Sequence, residues 1–585
     1  MPLTKIQRAY GRSLADFGEL LPAEQKLLDC SATGEEAKIG GDVPVDAFDP
    51  NKIVRASFLR FLLLGGDAQA PVHERGVQLI GAWVEGELDL SNCDVPHGIT
   101  LLVCNFNASI IANHAHIAGF LNLDGSLLLQ GLDADGLRCD SGVFLRAGFR
   151  SSSEVRLLRA HIGTDLDCSD GQFERKENAA LSADGAVVKG SVRLTADFKA
   201  KGEVLLVGAQ IGGVLDCSGG QFECKRDYAL IAEGVVVKGH VFLGKGFKAN
   251  RQVTLLGAQI GGYLDCRGGH FALNTEAAVK LKTAIIQGGF HLGPVVAPVS
   301  VDATSAQIGV LEDAPDAWAK GSTRNGLVYK SLGGKAPTDA VTRIKWLKLQ
   351  RDQDLGEDEA KQGFRPQPWK QLQKVLREMG HDADAREVGV AYEDQLREAD
   401  RIGQITDTSK AKNIFPVVRR QCLRALHWLF GFLAGYGYHP LRLFMSLAGV
   451  WLFCGVIYWW LAYAPYSAIG PTDPLVFQNA AYAACTEENK GNWMLCKSLP
   501  AEYTTFSPLA YSLDILLPLV DLEQERHWGP LIPTPERHFC VELLSFSPAH
   551  WVRLLNWFEV LYGWIASLLF VAIVSGISRR SETEK

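Results

Sequence analysis

The chain has 585 residues, a net charge of −7 and 47% hydrophobic residues. So mild a charge over this length provides no basic field for nucleic acid, and we predict no nucleic-acid partner. The 13 cysteines include no CxxC pair, which argues against the common zinc and redox motifs. The first 21 residues lack the long apolar core of a cleavable signal peptide, so we expect the first half to stay in the cytosol.

Residues 1–75 are predicted to form a helical N-terminal cap. The run Ile53–Leu64 has charges only at Arg55 and Arg60, and apolar residues cover its remaining face. A helix at this position would protect the open strand edge of the segment that follows. An ordinary helix of a small N-terminal domain is the alternative interpretation.

A repeat of 49 residues organises residues 76–311. The segment Ala209–Phe222 returns at Ala258–Phe271 and is already present at Ala160–Phe173. Self-similarity at a fixed period is typical of a solenoid, and period-two alternation between glycines predicts strands. We therefore predict a parallel β-helix with roughly 24 residues and two strand segments per coil, and about nine or ten coils.

The repeat stacks polar residues into columns. Two such columns contain Cys168, Cys217 and Cys266, and Asp167, Asp216 and Asp265. We interpret the thiols as small core fillers, and the aspartates as tolerable without a ligand at their spacing of about 10 Å. The steps A-x-I-x-G-x-L-D-C-S resemble those of bacterial pentapeptide-repeat and related β-helix proteins. That resemblance implies a fold and a binding or scaffolding surface, and no activity.

Residues 338–411 are predicted to form a short α-helical hairpin. Trp369, Leu372 and Val375 follow helical spacing, and the turn around Gly380 leads into a second helical run. The pattern resembles a single tetratricopeptide-like hairpin. We interpret it as a coupling element between the solenoid and a membrane, with a plain helical linker as the alternative.

Two transmembrane helices are predicted, at 443–463 and 556–578. The first is an uncharged run of 21 residues, about 31 Å long as a helix, and Val560–Ser578 is uncharged within the second. The segment 412–442 and the tail 579–585 are basic, whereas the 464–555 loop is acidic. The positive-inside rule therefore predicts that both termini are cytoplasmic and the loop is extracytoplasmic.

The segment 412–442 is also apolar, and we expect it to form a basic juxtamembrane helix. Such a helix lies along the inner leaflet of the bilayer or packs as a buried helix against the membrane domain. Both interpretations are open from the sequence.

The extracytoplasmic loop contains a short apolar helix, predicted over 506–519. The order of span, half-length helix, polar turn and span resembles the pore module of bacterial potassium-channel-like proteins, through Tyr436–Arg442, Ala510–Leu513 and Glu559–Ile565. The resemblance implies a re-entrant pore-like helix. Its predicted residues include Tyr511, Ser512 and Asp514.

The turn after this helix departs from the potassium-channel pattern. The T-V-G-Y-G filter is absent, so potassium selectivity does not carry over. Asp521, Glu523 and Glu525 occupy the position instead, and in an oligomer they would form acidic rings that favour cations. Two spans cannot enclose a pore, so this interpretation predicts a homo-oligomer, most simply a tetramer.

Three cysteines lie in the same loop. Cys485 and Cys496 could close a small disulfide loop contributing about 2–3 kcal/mol in an oxidising compartment. Cys540 is left over, to pair with either of them or stay free. Three reduced cysteines are the alternative.

Together these features predict a mixed fold in the bacterial inner membrane: a cytosolic β-solenoid, a helical linker and a two-span domain. The leading functional hypothesis is a solenoid that senses a cytosolic ligand or protein and is coupled to a cation-conducting oligomeric pore. A non-conducting membrane-anchored scaffold is the second hypothesis. A membrane-associated oxidoreductase is a lesser one, implied by similar LDCSG-type repeats. We identify no catalytic, cofactor-binding or metal-ligating residues for it, and expect no cofactor.

Overall fold

The structure is a computed structural model that describes residues 13–45, 49–272, 277–293, 297–349, 364–399, 401–402, 414–463, 468–488, 492–531 and 548–575. The chain divides into two compact units, Met1–Gly389 and Val390–Lys585. The first unit contains a long stack of short strands. The second contains the helices that are long and apolar enough to cross a membrane.

A parallel β-solenoid of about 11 turns extends over residues 77–332, so it continues beyond the predicted limit of 311. A turn takes 21 residues between Leu311 and Leu332 and 26 between Leu166 and Val192, close to the predicted 24. The prediction of two strands per turn is wrong. Most turns contribute four short strands, because the chain bends at a corner after every two or three extended residues.

The strands pair in four columns that belong to two sheets. Strands of the larger sheet are Ala37–Lys38, Val77–Ile80, Asp94–Val95, Ile99–Leu102, His116–Ile117, Leu121–Asn122, Arg138–Cys139, Val143–Phe144, His161–Ile162, Leu166–Asp167, Val187–Val188, Val192–Arg193, Gln210–Ile211, Leu215–Asp216, Val236–Val237, Val241–Phe242, Gln259–Ile260, Leu264–Asp265, Ile285–Leu292, Gln307–Asp313 and Val328–Leu332. Strands of the smaller sheet are Ile53–Arg55, Trp83–Glu85, Leu88–Asp89, Asn105–Phe106, Ile110–Ile111, Leu127–Leu128, Leu132–Asp133, Arg150–Ser151, Val155–Arg156, Gln172–Ser182, Lys199–Leu205, Gln221–Glu223, Tyr228–Ile231, Lys248–Ala249, Gln252–Thr254, His270–Phe271, Val279–Lys280 and Val301–Asp302.

The interior of the solenoid is filled by ladders of similar side chains. One ladder is aromatic, with ring centroids 5.1 to 5.4 Å apart from each turn to the next: Phe149, Phe173, Phe198, Phe222, Phe247 and Phe271. Tilted aromatic pairs of this kind contribute about 0.5–1.5 kcal/mol each beyond their burial. The ladder exists because every turn places the same sequence position on the same wall.

The predicted cysteine column lies in this interior. Cys168, Cys217 and Cys266 are fully buried, and burial raises the pKa of each thiol well above its usual value. Leu194 and Leu243 occupy the equivalent buried position in the intervening turns. The thiols therefore fill the same space as leucine side chains, in agreement with their interpretation as core fillers.

We expect these three thiols to resist alkylation in the native protein, because a buried thiol with a raised pKa provides almost no thiolate. Iodoacetamide at mildly alkaline pH should label the exposed Cys422 and leave Cys168, Cys217 and Cys266 unmodified, as read by peptide mass spectrometry. The control is the same reaction in denaturant, where all four thiols should react. Native labelling of a column thiol at the rate of Cys422 would contradict the buried column.

The aspartates alternate with the inward thiols along their strands, and an arginine interrupts their column. Asp167 and Asp265 are themselves buried. Arg193 lies between Asp167 and Asp216 in the strand register. Asp167 is 3.7 Å from Arg146 and 4.0 Å from Arg193, and Asp265 pairs with Arg267 at 2.6 Å. Arginines of the same and neighbouring turns thus offset the repulsion between stacked carboxylates.

The N-terminal segment contains helices α1 (Pro22–Thr33) and α2 (Ala56–Leu63). The predicted helix over Ile53–Leu64 is too long at its start, because Ile53–Arg55 form a strand that pairs with Trp83–Glu85. Arg55 also forms an ion pair at 2.6 Å with the buried carboxylate of Glu24 in α1. Strand pairing and this ion pair fix the segment to the first turns. The capping role of the helix stays a prediction.

Three helices follow the solenoid: α3 (Ala340–Lys348), α4 (Pro366–Glu378) and α5 (Asp382–Glu398). The side-chain amide of Gln367 accepts from Gly326 N and donates to Leu327 O, both at 2.8 Å, and Gln371 donates to Tyr329 O at 2.7 Å. Helix α4 therefore satisfies backbone groups at the last turn, which would otherwise be an open edge.

The second unit contains helices α6 (Ile414–Ala434), α7 (Pro440–Ala462), α8 (Pro508–Leu516) and α9 (Pro548–Val574). Residues Pro440–Ala462 and Pro548–Ile573 are two stretches long and apolar enough to span a membrane. Shorter elements connect them: the paired strands Ile469–Pro471 and Trp528–Pro530 and the one-turn helices Ala483–Glu487 and Gln524–His527. The predicted tail 579–585 and Cys540 lie outside the described residues.

Candidate functional site: a short helix between two membrane-length helices

Helix α8 packs between α7 and α9. It starts and ends inside the predicted range of 506–519, and its 9 residues make about 14 Å, too short to cross a bilayer. A Cβ added to Gly455 of α7 would lie 2.7 Å from the side chain of Leu509, and one added to Gly563 of α9 would lie 1.8 Å from the carbonyl oxygen of Leu516. Glycine on both long helices therefore permits this close approach.

A buried polar network ties the three helices together. Glu559 of α9 is fully buried, and its carboxylate accepts hydrogen bonds from Ser512 of α8 and, at 2.7 Å, from Tyr458 of α7. The side-chain amide of Asn556, also on α9, donates a hydrogen bond to the hydroxyl of Tyr511 on α8 at 2.9 Å. Ionisable residues inside a membrane-length helix are rare and usually functional, so Glu559 belongs to the candidate site.

Sequence reasoning missed this role of Glu559. The predicted span 556–578 contains Glu559 near its start, just before the uncharged run, whereas α9 begins at Pro548 and places Glu559 well inside the helix. A single carboxylate flanked by tryptophan, phenylalanine and leucine on one helical stretch was the available signal.

Asp514 holds the turn that follows α8. Its buried carboxylate accepts the backbone amides of Leu522 at 2.7 Å and of Glu525 at 2.8 Å. The side-chain oxygen of Gln524 accepts a hydrogen bond from Ser507 N at 3.0 Å. This bond joins the residue before α8 to the turn that follows the helix. The predicted helix residues Tyr511, Ser512 and Asp514 are all buried, and they act as anchors of the helix and its turn.

The three predicted turn carboxylates, Asp521, Glu523 and Glu525, are exposed in the single chain. Asp521 pairs with Arg526 at 2.7 Å, which offsets part of the negative charge. Glu525 is only partly desolvated, and this partial desolvation, with smaller contributions from Asp514 and Asp521, raises the pKa of its carboxyl group. Leu519 in the same turn is 94% exposed, so the turn presents apolar and acidic side chains together.

An aromatic cluster supports the turn from the side. Tyr503 packs on Trp528 and on Trp493 with ring centroids 5.6 and 6.4 Å apart. Cys485 and Cys496 form a disulfide with a Cα–Cα distance of 5.3 Å beside this cluster. A cavity of about 330 Å³ lies among these rings and the end of α7. Residues 468–488 and 492–531 thus form a small folded layer around α8, with a core that includes side chains of α7 and α9.

The described residues contain no group of three or more histidine, cysteine, aspartate or glutamate side chains arranged to hold a metal ion. The arrangement is therefore a packed helix with an acidic, exposed turn. Comparison with known proteins finds no match: no family model, no curated protein and no solved structure is significantly similar to this chain.

Proposed function

We propose that this chain is a subunit of an oligomeric, cation-conducting membrane pore whose β-solenoid binds or senses a cytosolic ligand or protein. The single observation that supports it most is helix α8, held between two membrane-length helices and ending in a turn with three exposed carboxylates. A helix anchored by a buried network positions such a turn more precisely than a free loop would.

The charge distribution supports an inner-membrane topology with both termini in the cytoplasm. Arg419, Arg420, Arg424 and Arg442 precede or begin the first long helix, whereas residues 465–553 contain ten acidic and five basic residues. Basic segments are retained on the cytoplasmic side. The disulfide between Cys485 and Cys496 fits the oxidising side of the same membrane.

The exposed turn supports an oligomer. Two long helices cannot surround a pore alone, and Leu519 and Val520 are exposed in a single chain. Around a symmetry axis these apolar residues would contact their copies, and the carboxylates would form rings that attract cations. A tetramer is the expected assembly.

The test is cation flux from liposomes that contain the purified full-length protein. The triple variant Asp521→Asn, Glu523→Gln, Glu525→Gln should lose cation flux or its preference for cations over anions, because the acidic rings are removed. The variant Glu487→Gln, Glu488→Gln, in the same loop but away from the turn, is the matched control. Absence of flux from wild-type oligomers with a folded solenoid would contradict a conducting pore.

A second candidate function is a scaffold, supported by one wall of the solenoid. Along seven turns the outward positions of this wall carry no charge: Val187, Gln210, Val236, Gln259, Ile285, Gln307 and Val328. Ile285 is 38% exposed and Val328 44%, which suits protein contact. Stoichiometric co-purification of a partner that Ile285→Arg abolishes, with no flux in any variant, would favour the scaffold.

A further inference from the structure

A cluster of polar side chains joins the end of α5 to the turn between α6 and α7. The hydroxyl of Tyr436, in that turn, donates to Asp394 Oδ1 at 2.8 Å and accepts from Arg397 at 3.2 Å. Arg397 and Asp394 are themselves paired at 3.0 Å. The Tyr436 hydroxyl therefore forms hydrogen bonds with both members of an ion pair on α5. We name these residues, with Glu393 and His427, the Tyr436 clasp.

His427 of α6 provides the other half of the clasp. Its Nε2 is 3.1 Å from the Glu393 carboxylate, and its ring lies against that of Tyr436 with centroids 4.6 Å apart. Both His427 and Glu393 are about four-fifths buried. Contacts through partly buried charged groups are stronger than the same contacts on an open surface.

The backbone at Tyr436 is strained, which shows that the clasp is held by its surroundings. Tyr436 has φ of 54°, a left-handed conformation that residues with a side chain seldom adopt. Its ring lies directly on Gly431, where an added Cβ would be 2.3 Å from the ring. Burial, and next the bond to Asp394, raise the pKa of the Tyr436 hydroxyl, so it stays a donor at neutral pH.

The clasp lies next to an apolar cluster in which the end of α6 packs against the start of α7 and the C-terminal part of α9. Helix α7 begins at Pro440, four residues after Tyr436. Ala434 packs with Leu443 of α7 and with Ala566 and Ile573 of α9 in one buried apolar cluster. The α6–α7 turn therefore adjoins a cluster that contains residues of both long helices, and α8 packs between those helices.

We propose that the Tyr436 clasp is the joint through which α5 regulates the α8 turn. This inference rests on the proposed function for its effect on flux. The clasp holds α5 against the base of α7, so the position of α5 sets the packing of α7 and α9 around α8. Opening the clasp frees the membrane helices from α5.

The test uses the full-length protein in lipid nanodiscs and liposomes, with Tyr436→Phe, which removes only the hydroxyl, and Asp394→Asn as a second variant. Tyr463→Phe at the other end of α7 is the control. We expect amide hydrogen exchange at 427–437 and at 514–525 to increase by at least about five-fold, the lower range of coupling between sites, and cation flux to change by a similar factor. The control should match wild type.

The outcomes separate this inference from the proposed function. Faster exchange at 427–437 with unchanged exchange at 514–525 and unchanged flux would overturn the coupling and leave the pore proposal intact. Changed exchange at 514–525 in a protein that conducts no ions would support the coupling and overturn conduction. Unchanged exchange at both segments in both variants would show that the clasp stabilises neither the α6–α7 turn nor the α8 turn, and would also overturn the inference.

Discussion

Replacing Asp313 by alanine should lower the free energy of unfolding of the solenoid unit by about 3–5 kcal/mol, the usual effect of removing one partner from a buried ion pair. Asp313 and Arg343 are both completely buried, with nitrogen–oxygen distances of 2.8 and 3.1 Å. The indole N–H of Trp318 adds a third bond to the same carboxylate at 2.7 Å. The substitution removes both carboxylate oxygens and with them all three hydrogen bonds.

A second buried guanidinium increases the expected effect. Arg324 lies between Trp318 and Trp346, 4.6 and 4.5 Å from their ring centroids, and its nitrogens have no hydrogen-bond partner among the described residues. Burial lowers the pKa of Arg324, and the nearby Asp313 carboxylate opposes that shift. Without Asp313, the guanidinium groups of Arg324 and Arg343 remain buried close together and lose the carboxylate that balances their charge.

Denaturant unfolding of the full-length protein, followed by far-ultraviolet circular dichroism, measures this effect. Asp313→Ala should move the solenoid transition to clearly lower denaturant, and Asp313→Asn should fall between it and wild type because it keeps one acceptor. Asp316→Asn, on an exposed residue three positions away, is the control and should change little. An Asp313→Ala transition that coincides with wild type would contradict the structure of this end of the solenoid.

Replacing Gly563 by alanine should separate α8 from α9. The new Cβ would lie 1.8 Å from the backbone oxygen of Leu516, and a backbone oxygen cannot move aside as a side chain can. Overpacking of this kind costs about 1–3 kcal/mol or more. We expect lower thermal stability in detergent, and loss of flux if the turn after α8 forms the pore.

Two other glycines provide graded controls. The Cβ added by Gly455→Ala would lie 2.7 Å from the flexible end of the Leu509 side chain, which can move aside. The loss of thermal stability should therefore be smaller than for Gly563→Ala. Gly449 on the same helix has open space around it, and Gly449→Ala should be neutral or stabilise the helix by up to about 1 kcal/mol. Equal melting temperatures for the Gly563 and Gly449 variants, read by size-exclusion chromatography after heating, would contradict the packing of α8 on α9.

Much of the solenoid was predictable from the residues, since a turn of a solenoid stacks on a copy of itself. The 49-residue repeat therefore encodes the neighbours of each residue, and the buried column of Cys168, Cys217 and Cys266 follows from alternation alone. The ends were not predictable in this way. Residues 312–332 depart from the repeat because the last turn packs against α4. Ile53–Arg55 pair as a strand, although they begin an apolar run whose spacing predicts a helix.

By itself the sequence determined the solenoid, its inward-facing thiols and two apolar segments of membrane length, because each depends on local alternation, period or hydropathy. Only the tertiary structure decided the contacts of the candidate site. Glu559 meets Tyr458 across 101 residues and Ser512 across 47, and Asp394 meets Tyr436 across 42. No periodicity encodes such pairs, since each joins segments that occur once, and packing of whole helices is what brings them together.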